Sequence, residues 1–366
     1  MPPLSLGVEE EFLLIGRDGQ IATGGPEVAH GVPDSSGQTE QELMRCQVEA
    51  ATGVHTRLPE LIAELAALRT RLAAEADRRG LRLLPSGTSP QPVGKLVVSP
   101  DRRYRRIVRK FGELGSSLTC ACHVHVGIAD RAEGLRISNT IRPWLPVLLA
   151  VTANSPYHDG ADTRHASWRH MLWSRWPSAG APPHFTSDDH YDSLVDGLWR
   201  CGAILDRGML YWDIRLSEHE PTVEIRIADV AATVEEAGLL AALIRALASR
   251  ARARDEIGAG DVVPPEVLRA QLWRTAHDGL SGRCVDPLTG SVAPTVRVAR
   301  TLVEHVRPQL AEVGDDGFVR RTLDRLAAGG DGATRQRAAY ARRRRFTDVV
   351  DDLAWPTRVP GHDRSA

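Results

Sequence analysis

Residues 4–15 read as a strand, alternating apolar and polar over Leu4–Glu9 and closing on the apolar run Phe12–Ile15. A stretch rich in Gly, Pro and Ser over 16–38 reads as a loop, and 41–51 is predicted to be extended in part. Leu58, Leu61, Ile62, Leu65, Leu68 and Leu72 recur at helical spacing with Arg and Glu between them. The region 58–79 is therefore predicted as an amphipathic helix, stopped by Gly80. A short strand over 81–84 runs into the turn-rich segment Pro85–Pro92. A basic helix is predicted over 101–114, a strand over 117–128, a helix over 134–152, and a loop with Trp168, Trp173 and Trp176 over 157–187. A helix over 189–206 precedes two strands, 211–216 and 221–229. Thr233 with Glu236 forms a capping box that opens a long helix to about 253. Residues 264–353 read as mostly helical, and the last dozen, with two Pro and one Gly, as a frayed tail. Polar-faced strands interleaved with amphipathic helices predict an α+β fold, an antiparallel sheet with helices packed on one side.

At 366 residues the chain can form one large domain or two smaller ones. Its 42% hydrophobic and 25% charged residues are ordinary for a globular protein. With a formal net charge of -1, nothing argues for a nucleic-acid or membrane partner, and none is expected. The basic run Arg342–Arg345 is followed closely by Asp348, Asp351 and Asp352, as on a solvated helix face. No basic and apolar leader opens the chain, and no apolar stretch is long enough for a bilayer. Five cysteines, an odd number, suit reduced thiols, so a cytoplasmic location is expected.

Chemistry enters with three segments. In Gly7–Phe12 alternation puts Glu9 and Glu11 on one face, with Val8, Glu10 and Phe12 on the other. Two neighbouring carboxylates repel each other unless they are solvated or a cation sits between them. An exposed edge strand with solvated acids has the same pattern. In Cys120–Gly127, His123 and His125 share a face opposite Cys120, Cys122, Val124 and Val126. The two sets point apart, which argues against a Cys–His zinc site and leaves the thiols as small core residues. In Thr222–Asp229, Val223, Ile225 and Ile227 form an apolar face, with Thr222, Glu224 and Arg226 opposite; Asp213 and Arg215 pair likewise. A sheet with solvated salt bridges would look the same. If the three strands are neighbours, one polar face holds Glu9, Glu11, His123, His125, Glu224 and Arg226. Such a set suits Mg²⁺, which prefers oxygen ligands, with Arg226 suited to a phosphate. Residues 87–95 are too long between glycines for a phosphate loop, and Leu96 replaces its hydroxyl residue. No dinucleotide glycine fingerprint opens a helix either.

Taken in order, Gly7–Phe12, Gln47-Val48-Glu49, His123–Gly127, Trp212–Arg215 and Thr222–Arg226 resemble the glutamate–cysteine ligase type 2, or carboxylate–amine ligase, family. Ala153–Tyr157, Asp162-Thr163-Arg164, Arg169 and Arg175-Trp176-Pro177 fall into the same order, so the resemblance covers residue 4 to about 290. It implies a curved antiparallel sheet funnel like the catalytic part of glutamine synthetase, packed by helices, in a single catalytic domain over 1–355 with a flexible tail at 356–366. It implies that ATP phosphorylates a carboxylate and an amine attacks the acyl phosphate. L-glutamate and L-cysteine would give γ-glutamylcysteine, ADP and phosphate. By the same resemblance Glu9, Glu11, Glu49, His123 and Glu224 bind Mg²⁺ or Mn²⁺, and His125 and Arg226 contact the nucleotide phosphates. Arg226 and Glu224 act in catalysis, and Arg164 and Arg169 bind substrate carboxylates. The partners are small molecules, with a homo-oligomer left open. The competing expectation is a metal-dependent amidohydrolase, in which His-x-His holds zinc and activates water. It requires further His or Asp ligands on later strands, where this chain has Glu and Arg.

Overall fold

The computed structural model describes residues 2–32, 37–252, 256–258 and 262–354. The expected flexible tail lies outside the described residues, as does residue 253, to which the long helix is expected to run; its described part ends at Ala251.

The first strand, β1 (Leu6–Gly16), is the axis of a seven-stranded sheet. Beside it lie β2 (Gln38–Gln41), β3 (Gln47–Ala51), β4 (Leu81–Leu84) and β5 (Ala121–Gly127). After two short hairpin strands, β6 (Tyr157–His158) and β7 (Ala161–Asp162), come β8 (Ile214–Leu216) and β9 (Thr222–Asp229). A second small hairpin joins β10 (Arg283–Val285) to β11 (Val292–Pro294). The main sheet runs β2-β3-β1-β5-β9-β8, with β4 pairing the far end of β1, and all its described pairings are antiparallel. The three polar-faced strands are therefore neighbours, as the sequence pattern required for a shared face.

The apolar faces of β1, β5 and β9 bury Val8, Val124, Val126, Val223, Ile225 and Ile227. They pack against α2 (Leu58–Arg78), whose Leu58, Leu61, Leu65, Leu68 and Leu72 are all buried, as their spacing predicts. The helix expected over 134–152 is broken. Helix α4 (Arg131–Ile141) meets α5 (Leu145–Val151) through a tight turn at Arg142–Trp144. Pro143 and Pro146 lack the amide hydrogens a continuous helix needs. Helix α8 (Val234–Ala251) starts at Thr233, whose hydroxyl accepts from Glu236 N as the capping box predicts, and is buried along most of its length. Glu10 points into this helical side and is held there by Arg69 of α2, whose Nε and Nη2 reach its two oxygens at 2.8 and 2.5 Å. Arg69 also donates to the carbonyls of Ala231 and Ala232, so the buried pair ties α2 to the segment after β9.

Some predicted loops contain helix. Gly25–Gly31 forms α1, and Trp168–Trp173 forms α6. Helices α3 (Arg102–Phe111) and α6 lie on the polar side of the sheet, where Arg103, Tyr104, Ile107 and Trp173 close a cavity over it. Helices thus cover both faces, not one as expected. The tryptophans and tyrosines of this cover need apolar neighbours, and they find them in each other. The remaining helices, α7 (Asp188–Arg200) and α9–α14 between Pro265 and Ala354, complete the mostly helical C-terminal region. The Arg342–Arg345 run pairs in part with acids, Arg342 with Asp352 and Arg343 with Asp348, as its neighbourhood suggested.

Candidate active site

Register decides which acids meet. Glu9 is opposite His123, Glu11 opposite Glu49, Glu49 also opposite Glu40, and His125 opposite Glu224. Five of the predicted residues, Glu9, Glu11, Glu49, His123 and Arg226, line one cavity of about 210 Å³. Glu224 and His125 sit beside it: His123 Nδ1 is 3.2 Å from Glu9 and 3.7 Å from Glu224, and His125 Nε2 is 3.2 Å from Glu9.

Two groups of ligand atoms lie within 4.8 Å of one another among the described residues: Glu9, His125 and Glu224, and Glu11, Glu42 and Glu49. Their electrostatics differ. In the first group burial alone would raise Glu9, but the hydrogen bonds from His123 and His125 outweigh it and hold the carboxyl far below the usual range. Glu224 is likewise buried and held low by Arg226 and Arg215, with Arg215 Nε 2.7 Å from its Oε2. In the second group burial dominates, and at Glu11 and Glu49 the neighbouring acids add to it. Glu11 is pushed up to about 8, and Glu42 and Glu49 are raised as well. Three crowded carboxylates of this kind need either protons or a cation between them. Burial pushes His123 down to about 4, so its imidazole is neutral, the form that ligates metal. Its Nε2 is buried without a hydrogen-bond partner among the described residues. The donor set, acids with a neutral imidazole, fits a divalent ion such as Mg²⁺ or Mn²⁺.

Arg226 keeps the face that alternation assigns it, but the strand beyond it carries an irregularity that alternation cannot reveal. Between Cys122–Ala228 and Val124–Ile225 the β5–β9 register shifts, so Arg226 and Ile227 together face His123. The shift turns Asp229 onto the same side as Ala121, away from the apolar face that strict alternation would assign it. There Asp229 accepts from Asn154 N, Ser155 Oγ and Ser167 Oγ at 2.7–2.8 Å. Asn154 in turn donates to the Pro85 and Val230 carbonyls. Through these contacts the Ala153–Tyr157 segment locks the end of β9 to the start of α6.

The predicted arginines divide. Arg169 is buried, and its Nη1 and Nη2 donate to the carbonyls of Ile227 and Arg226 at 3.3 and 3.2 Å, beneath the bulge. Its guanidinium and that of Arg226 both lie over the Trp173 ring, 5.7 and 5.9 Å from the centroid. Arg164 is exposed, in left-handed conformation with φ 61°, in the turn after β7 and outside the cavity lining.

Sequence reasoning missed Glu42, which the β2–β3 connection carries to Glu11 and Glu49. The alternation of Glu40 and Glu42 was the available signal, but only the hairpin pairing aims it inward. It also missed the aromatic wall of Tyr104, Trp173, Trp176 and Tyr211, with Trp173 and Tyr211 ring centroids 4.6 Å apart. Arg215, on β8, is expected from the sequence only as the partner of Asp213; it bonds Glu224. All five cysteines are free, and Cys120 and Cys122 are buried with their thiols pushed well up by desolvation.

In fold, the chain is similar to two solved ligases. A bifunctional glutathione synthetase from Pasteurella multocida superposes with a TM-score of 0.68 at 14% identity, over 97% of this chain and 52% of that one. This chain therefore spans about half the length of that protein. A glutamate–cysteine ligase from Francisella tularensis, solved with AMP, gives 0.67 at 11% identity, over 98% and 89%. The architecture is thus one that ligases use. Sequence narrows the class: the model of "Glutamate-cysteine ligase family 2" matches residues 5–352. The "Putative glutamate--cysteine ligase 2-1" of Rhodococcus jostii is 46% identical over 355 residues, 96% of this chain and 95% of that one. A protein of Mycolicibacterium smegmatis, "Putative glutamate--cysteine ligase 2-3", is 44% identical over 96% of this chain and 98% of that one. The chain belongs to glutamate–cysteine ligase family 2, and with it to the ATP-dependent carbon–nitrogen ligases. No described helix is long and apolar enough to cross a membrane.

Proposed function

We propose that the chain activates a glutamate-like carboxylate as its acyl phosphate at the expense of ATP, then joins it to an amine, with cysteine the first amine to test. The observation that carries the reading is the shared sheet face, where Glu9, Glu11, Glu49, His123 and Arg226 line one cavity with Glu224 beside it, without a phosphate loop. Glu9, Glu11, Glu49, His123 and Glu224 would hold Mg²⁺ or Mn²⁺, and Glu42 joins them by position. Bound there, a divalent ion supplies positive charge to the phosphate oxygens. Arg226, oriented by its ion pair with Glu224 and by the Trp173 ring, stabilises the charge on the transferring phosphoryl group. His125, fixed by the Thr222 hydroxyl at 2.9 Å, adds a donor toward the phosphates. Arg169 supports Arg226 through the bulge carbonyls. The aromatic cover limits water around the reactive acyl phosphate. Family coverage of residues 5–352 supports one catalytic unit over 1–355, and the fully antiparallel pairing of the main sheet supports its closing into a funnel.

The test is ADP release from ATP across acid and amine pairs with Mg²⁺, with hydroxylamine added to trap an acyl phosphate as its hydroxamate. ADP and hydroxamate that both require the acid and vanish with EDTA are expected. Amide hydrolysis without ATP, the amidohydrolase outcome, would overturn the reading.

A further inference from the structure

Helix α3 divides two cavities. Arg103, Tyr104 and Ile107 line the acidic pocket. Arg102, Arg105, Arg106 and Arg109 line a separate groove of about 620 Å³, bounded by Leu205 and Asp206. Arg103 lines both, so groove and pocket meet at that residue. The four outer arginines fall at i, i+3, i+4 and i+7, one stripe along the helix, spanning roughly 10 Å at 1.5 Å rise per residue. All four are exposed.

Their charges are not matched. Asp206 is held by Arg103, at 2.9 and 2.8 Å, and attracts Arg106 from farther off without forming an ion pair with it. Arg105 donates to the Pro100 carbonyl, and no ion pair forms at Arg102, Arg105, Arg106 or Arg109 among the described residues. Elsewhere on the surface arginines do find acids: Arg131 meets Asp188 and Asp192, and Arg320 meets Asp316 and Glu304. In a chain of net charge -1, a row of four unmatched guanidinium groups is a local excess. Like charges four residues apart destabilise a helix, so the row costs stability unless anions meet it.

Two kinds of anion belong to a carboxylate–amine ligation: the nucleotide phosphates and the acid. The phosphates are drawn to Arg226 and to the cations that the acidic clusters on the sheet floor would hold, behind α3. The outward row is left to the acid. We propose, building on the ligase reading above, that the α3 groove binds non-reacting carboxylates of the acid substrate. The acid is then a polycarboxylate, of which a short glutamate-rich peptide is the simplest form, with its reacting end in the pocket. Guanidinium forks match carboxylates in pairs, and a row of about 10 Å accommodates two or three of them.

The experiment measures binding of labelled triglutamate to the full chain at low salt, with free glutamate, ATP and inorganic tripolyphosphate as competitors. It is repeated on the triple variant Arg105→Gln, Arg106→Gln, Arg109→Gln, and on the corresponding triple Lys variant. Each lost exposed pair is worth a few-fold, so the Gln variant is expected to bind triglutamate about ten- to a hundredfold more weakly. ATP affinity should stay unchanged, and the Lys variant should recover much of the loss. Salt should weaken triglutamate binding to the parent more than to the Gln variant. Unchanged triglutamate binding in the Gln variant overturns the proposal, as does an equal loss of ATP or tripolyphosphate binding, which would give the row to phosphates. Because binding is read without turnover, failure of the ligase reading would show separately, as absence of ADP release with every acid.

Discussion

Replacing Glu11 by Gln tests whether the acidic pocket is a cation site. The Glu11 carboxyl is buried and faces Glu42, and it is pushed up from 4.5 to about 8. The folded protein therefore keeps this proton to higher pH than the unfolded chain does. Between 4.5 and about 8 the folded state binds more protons, so its stability falls as pH rises. Below 4.5 both states are protonated and the penalty is absent. At about 1.4 kcal/mol per pH unit the interval sets a ceiling of ~5 kcal/mol. Glutamine has nearly the same shape, stays neutral, and its amide oxygen can still accept from Ala121 N, which lies 2.8 Å from Glu11 Oε2. In EDTA at pH 8 the variant should be more stable than the parent by about 2–4 kcal/mol in urea unfolding, below that ceiling because the neighbouring acids share the penalty. At pH 4.5 the difference should nearly vanish. Adding Mg²⁺ or Mn²⁺ should raise the parent's Tm more than the variant's, since the ion stabilises only by its affinity for the folded site. A variant no more stable than the parent at pH 8 in EDTA would refute the reasoning, and so would an unchanged metal response.

Arg226→Lys keeps the charge but loses the fork, and is expected to lower kcat by about 10²–10³ with a smaller change in ATP affinity; a near-normal kcat with a lower Tm would leave Arg226 only the role of holding Glu224. Arg69→Met strands the Glu10 carboxylate in the core and should cost about 3–5 kcal/mol in urea unfolding, with a loss under ~1 kcal/mol counting against the buried pair as a tie between α2 and the sheet. Cys120→Ser and Cys122→Ser should both keep turnover and metal. Both lie in apolar clusters, but Cys122→Ser should lose more stability, about 1–3 kcal/mol, because Gln47 Nε2 stands 3.6 Å from the Cys120 sulfur and can meet a hydroxyl there. Metal lost from either folded variant would refute the facing of the strand.

Local pattern alone was enough to set the faces of the strands. Alternation put Glu9 with Glu11 and His123 with His125, and turned Cys122 and Val124 toward the helices, because successive side chains on a strand point to opposite sides. It also determined α2 and the start of α8, where spacing and a capping box are local signals. Three things needed the tertiary structure. Strand order brought Glu49 opposite Glu11 and Glu224 opposite His125, since pairing joins residues that are distant in the chain. The bulge at Arg226 and Ile227 moved Asp229 to the other face, since one extra residue reverses every later side chain. The third was the cover, in which α3 and α6 close over the polar face and bring Tyr104, Trp173 and Tyr211 to the acids. Periodicity marks α3 as helical but leaves α6 in a predicted loop, and for neither does it record which face of the sheet is covered, because that depends on packing between segments remote in sequence.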